Sequence, residues 1–160
     1  MRATLAVAVL LTLASPYLAF AESPRTSYTT LVVEFVGAMD RPVPPVVIST
    51  LSEEGEWYKQ HLFRKQLRFL VHVNVVSATT LNEITELPLL KHALESAKPS
   101  DEEPRTTQNV RFTAGVGHDR AQIMVGAQTS AKILKDIASV VAKYPTLKNE
   151  LQEIETHVKP

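Results

Sequence analysis

Residues Leu67–Val76 read LRFLVHVNVV, and how this decapeptide is taken decides the fold. Leu67, Phe69, Val71, Val73 and Val75 are apolar at every odd position, while Arg68, His72 and Asn74 lie between them. A period of two sends the odd set to one face of a β-strand and the even set to the other. Ten extended residues span about 33 Å, a length that suits the middle of a sheet. The odd face is continuous apolar bulk, fit for packing against helices. The even face mixes Leu70 and Val76 with polar groups and reads as half solvated.

Upstream, Tyr28–Gly37 (YTTLVVEFVG) is rich in β-branched residues and reads as a strand. Three prolines in Gly37–Pro45 make a turn region, and Val46–Thr50 resumes as a short hairpin partner. Ser52–Gln66 has two readings. Ser52 can cap a helix, and Glu53 and Glu54 suit the positive end of its dipole. The rival is a hairpin in which the strand through Leu67 starts at Leu62. The helix is preferred, because the segment holds good helix formers and no proline.

Downstream, Thr80-Leu81-Asn82-Glu83 matches a capping box and opens a helix. Pro88 fits the first turn of a second helix or a kink within a single one. Lys98–Asn109 contains no apolar residue and reads as a mobile polar loop. Val110–Gly126 is a hairpin turning through Gly117-His118-Asp119-Arg120. Thr129 or Ser130 caps a helix through about Lys143, carrying the apolar stripe Ile133, Leu134, Ile137, Val140, Val141 and Tyr144. Pro145 ends it, and a last helix from Thr146 aligns Leu147, Leu151, Ile154 and Val158. The fold class is α+β: an antiparallel or mixed sheet of about five strands, with helices packed on one face in two layers.

The first residues, MRATLAVAVLLTLASPYLAFAES, have the three parts of a secretory signal: Arg2, the apolar run Ala3–Ala14, and Ala19-Phe20-Ala21 before Glu22. Residues 1–21 are therefore expected to be removed, leaving 22–160 as one domain of about 140 residues. The apolar run falls short of the roughly 18 residues a membrane span needs. Seventeen basic residues balance seventeen acidic ones, which argues against bulk attraction to nucleic acid or an anionic membrane. The absence of cysteine excludes disulfides, thiolate chemistry, cysteine-ligated zinc and a lipid-modified cysteine. No Asn-x-Ser/Thr acceptor follows residue 21. Together these features point to a periplasmic or secreted protein.

Three groups of residues could carry function. His72 and Asn74, beside Arg68, project from one strand face toward a ligand; the plain alternative is a histidine hydrogen-bonded at a sheet surface. At the hairpin tip, His118, Asp119 and Arg120 follow glycines whose free backbone donors could hold an anion. A turn tip also collects polar residues simply because it is exposed. On a helical reading of 52–66, Trp57, His61, Arg64 and Arg68 fall within about 60° of one another. Such a stripe could meet an anionic partner, with Trp57 as its apolar anchor, or be a solvated face paired with Glu53 and Glu56.

The five histidines form no zinc motif, no cofactor motif is present, and no Gly-x-Ser-x-Gly elbow marks a nucleophile. The leading reading is a non-enzymatic exported module binding a protein or a small ligand, as a monomer or weak homo-oligomer. Two readings stand beside it: a small hydrolase or metal-assisted enzyme using His72 or His118, and a self-associating envelope component.

Overall fold

The structure, a computed structural model, describes residues 27–37, 43–62, 70–97, 109–117 and 119–158. The expected leader at 1–21, residues 98–108 of the polar loop, Arg64, Arg68 and His118 lie outside those residues. In chain order the elements are β1 (Thr30–Phe35), β2 (Val46–Ser49), α1 (Ser52–Leu62), β3 (Val73–Val75), α2 (Ala78–Thr85), α3 (Pro88–Glu95), β4 (Val110–Val116), β5 (Asp119–Val125), α4 (Ala127–Val140) and α5 (Pro145–His157).

The centre of the sheet is β1, where Leu31, Val32 and Val33 are all buried, as a strand covered on both faces requires. It pairs antiparallel with β2 on one side, Thr30 opposite Ser49, and with β4 on the other, Phe35 opposite Val110. The β4–β5 hairpin closes with Val116 opposite Asp119, and Gly117 takes the left-handed φ of +56° that the tight turn needs. Strand order is β3-β2-β1-β4-β5, with β2–β3 the parallel pair.

The α+β two-layer architecture expected from sequence is present, and α2–α5 form its helical layer. Their buried side chains, among them Ile84, Leu90, Ile137 and Leu151, pack with Leu31, Val33, Ile48 and Phe112 in the main core. One helix lies elsewhere. A parallel neighbour such as β3 can be reached from β2 only by a crossover, and α1 is that crossover, so it crosses the opposite face. There Tyr58 packs with Val32, Val47 and Val71, flanked by Trp57, Leu62 and Val73.

The decapeptide at 67–76 corrects the expectation of a ten-residue central strand. Leu67–Phe69 lie outside the described residues, Leu70 is not part of a strand, and β3 is only Val73–Val75, at the sheet edge. The face assignment survives: Val71 and Val73 join the Tyr58 cluster, whereas Val76 enters the main core. Val75, the last residue of the strand, is 51% exposed.

Two helix starts also differ. Ser77, not Thr80, caps α2: its Oγ accepts from the Thr80 backbone N–H at 3.1 Å and lies 2.8 Å from Thr80 Oγ1. Gly126 occupies the cap position of α4, and Ser130 Oγ bonds back to the carbonyls of Gly126 and Ala127 inside the first turn. Pro88 opens α3 as a separate helix, and Pro145 opens α5 at its first position. Among the described residues no helix is long and apolar enough to cross a membrane.

Candidate functional site

Because β3 is an edge strand, the side chains on its even face look past the main core toward the end of the helical layer. His72 and Asn74 therefore meet α5. Leu147, Leu151 and Ile154 turn inward on that helix, and Glu150, one residue before Leu151, sits at the border of the buried stripe. Its carboxylate joins the two sequence candidates. His72 Nδ1 lies 3.0 Å from Glu150 Oε1, and Asn74 Nδ2 donates to Glu150 Oε2 at 2.7 Å and to the Val47 carbonyl at 3.3 Å. An ionised carboxylate can only accept, so Nδ1 carries the shared proton and Nε2 is the second functional nitrogen. With the His72 side chain 70% exposed, the contact adds little stability and chiefly fixes the ring.

His72 and Asn74 form one wall of a cleft of about 370 Å³, whose other wall is the α4–α5 connection with Lys143, Tyr144 and Thr146. Tyr144 is tied to the start of α2. A hydrogen bond from the Thr80 side chain lowers its phenol pKa below 10.0; burial opposes this, and Ser77 and nearby Lys143 add to the lowering. Lys143 Nζ stands 5.4 Å from the centroid of the Tyr144 ring.

On the other side of the sheet, Trp57 and His61 stack at 4.3 Å with 19° between their planes, and His61 Nδ1 lies 2.7 Å from the Trp57 carbonyl. The stack makes a rigid aromatic surface on α1. The rest of the expected stripe, Arg64 and Arg68, falls outside the described residues. Asp119 and Arg120 are exposed at the start of β5. They do not stand apart from α1, however. Tyr58 reaches under the hairpin and its hydroxyl points to the Gly117 carbonyl at 3.5 Å. A Cβ on Gly115 would fall 1.6 Å from the Tyr58 hydroxyl, so only glycine leaves room for that ring. Burial raises the Tyr58 pKa above 10.0; Arg120 pulls it down, and Glu54 and Asp119 push it up. The α1 group and the hairpin tip, separate in sequence, thus share one region.

Sequence reasoning found His72 and Asn74 but not Glu150, Lys143 or Tyr144. Glu150 is 78 positions from His72, and its placement on the rim of an amphipathic stripe was the one available sign. Among the described residues no group of three or more His, Asp or Glu side chains could hold a metal ion. Comparison of the chain with models of known protein families, with curated proteins and with solved structures gives no match.

Proposed function

We propose that the chain is an exported, non-enzymatic binding module that takes a small anionic ligand in the cleft between β3 and the α4–α5 connection. One observation carries the reading: Glu150 has each oxygen engaged, one by His72 and one by Asn74. The acid is thereby turned to the wall, and Lys143 remains as the charge facing the cleft. A ligand carboxylate or phosphate would meet the Lys143 ammonium and, when His72 is protonated, a donor at Nε2. Export rests on the Arg2, Ala3–Ala14 and Ala19–Ala21 pattern.

The test is a ¹H–¹⁵N titration with succinate and with inorganic phosphate. Saturable shifts at the Asn74 side-chain amide and at residues 143–147 are expected, and their loss in Lys143→Ala. A folded protein whose cleft resonances stay still in both titrations would end this reading. Export is checked separately by mass spectrometry of the chain expressed with its leader, with Glu22 expected as the first residue.

A second reading, a hydrolase using His72, draws on the same pair, because a carboxylate that orients an imidazole in a cleft is the arrangement general-base catalysis uses. It predicts turnover of simple p-nitrophenyl esters that is abolished in His72→Ala and reduced in Glu150→Gln. Equal rates in all three proteins would remove it.

A further inference from the structure

The cleft beside β3 borders four successive residues, His72, Val73, Asn74 and Val75. Neighbouring side chains on a strand point to opposite faces, so a cavity touching all four runs along the strand's edge rather than over one face. The inner edge belongs to β2, which leaves the outer edge as the one that opens here. Val76 N–H donates to the Ser49 carbonyl at 2.9 Å, and Ser49 stands opposite Val75. Backbone groups alternate sides along a strand. Asn74 and Val76 therefore bond toward β2, and the N–H and C=O of Val73 and Val75 point outward. Among the described residues no strand pairs with that edge.

Folded proteins blunt such an edge with a lysine, a proline, a bulge or a covering segment. The strand Val73-Asn74-Val75 carries neither charge nor proline, and Val75 is exposed. Two donors and two acceptors at residue spacing are matched by another extended backbone. Charge supplies the second constraint: Lys143 borders the cleft, and no carboxylate does among the described residues. An internal strand of a partner, or β3 of a second copy, would pair with the edge but bring Lys143 no counter-charge. A small anion would meet Lys143 and leave the edge unpaired. The end of a chain, with a free α-carboxylate on an extended backbone, answers both.

We propose that the cleft takes the C-terminal end of an extended polypeptide, which adds a strand to the outer edge of β3 and sets its terminal carboxylate at Lys143. The inference rests on the anion-binding reading above and names the ligand class for that cleft.

The full chain is titrated with acetyl-Thr-Val-Thr-Val bearing a free carboxylate, with the same peptide as its C-terminal amide, and with succinate, all followed by ¹H–¹⁵N spectra. The acid peptide should bind about tenfold more tightly than succinate. At saturation the backbone amide protons of Val73 and Val75 should move downfield and become protected from exchange. The amide peptide should bind about tenfold more weakly than the acid, and Lys143→Ala should erase that difference. Val75→Pro removes an outward donor where an edge strand tolerates proline, and should abolish the advantage of the peptide over succinate. A peptide no tighter than succinate, equal binding of acid and amide, or Val73 and Val75 amides that stay still at saturation overturns the proposal. In each of those cases, shifts at residues 143–147 with succinate leave the small-anion reading standing. A peptide that binds as expected while succinate does nothing supports the chain end and retires the small anion. A dimer in sedimentation, with Val73 and Val75 shifts that follow protein concentration, assigns the edge to a second copy and overturns the proposal. Should circular dichroism show that Val75→Pro does not fold, the acid–amide comparison on the native chain decides by itself.

Discussion

The two faces of the sheet are built by different means. On one, α2–α5 bring long aliphatic side chains onto Leu31, Val33, Ile48 and Phe112, and the result is a continuous core. On the other, among the described residues, α1 covers Val32, Val47 and Val71 through Tyr58. The thick face consumes nearly every apolar stripe the helices offer. The thin face holds its helix by close approach, with Val73 Cγ1 only 2.2 Å from where a Cβ on Gly55 would lie. The His72 cleft sits at the margin of the first covering, where the helical layer ends, and the Trp57–His61 stack lies on the helix that makes the second. Polar groups gather where apolar cover runs out, and there a ligand can replace water.

The contrast can be broken by mutation. The largest effect is expected at the thick face, where Phe112→Ala deletes a fully buried ring and should cost about 3–5 kcal/mol in urea unfolding. A loss below about 1 kcal/mol would mean that this core is loosely packed. Gly55→Ala comes next and tests the thin face by its sign. In an exposed helix the change would stabilise by about 1 kcal/mol. Here the added methyl meets Val73, so a net loss of about 1–3 kcal/mol is expected, with partial recovery in Gly55→Ala/Val73→Ala. Stabilisation by Gly55→Ala would show that α1 does not lie so close.

Smaller still is Asn74→Ala, which removes the donor to Glu150 Oε2 and should cost about 1 kcal/mol. The His72 ring should become more mobile in the same variant, as read from its NMR line shapes. The finest distinction is in alkaline titration. Tyr58, raised by burial, and Tyr144, lowered by the Thr80 hydrogen bond, should ionise in the order Tyr144 then Tyr58 by phenolate absorbance in single Tyr→Phe variants. A phenol raised above 10.0 in the folded state contributes stability that is fully present below pH 10 and lost as pH rises through its folded value. Tyr58→Phe should therefore lessen the fall in stability above pH 10.

Much of this plan is legible along the chain, element by element. The stripes Ile133–Ile137–Val141 and Leu147–Leu151–Ile154 are buried as their spacing requires, because helical period and burial are one fact seen twice. The order of strands and helices, the break at Pro88 and the hairpin about Gly117 follow from local chemistry in the same way. What misled was rank. LRFLVHVNVV has the better alternation, yet the shorter run Leu31-Val32-Val33 is central. Alternation marks a strand with one wet face, whereas an unbroken apolar run marks one covered on both. The capping-box pattern starts at Thr80, yet Ser77 is the cap, because it precedes the first helical turn and Thr80 lies within it.

The candidate sites divide similarly. His72, Asn74 and Trp57 stand out in the sequence as polar or aromatic residues set in apolar context. Glu150 and Tyr144 do not, since each acquires its meaning from a neighbour remote in the chain.

By itself, then, the amino-acid order determined the types of element, their turns and the inward faces of the helices, because those depend on interactions within a few residues. Which strand became the centre, which face received α1, and which carboxylate met His72 were decided only when the crossover from β2 to β3 was made. Apolar area must be covered from somewhere, and only the folded chain settles which segment is near enough to cover it.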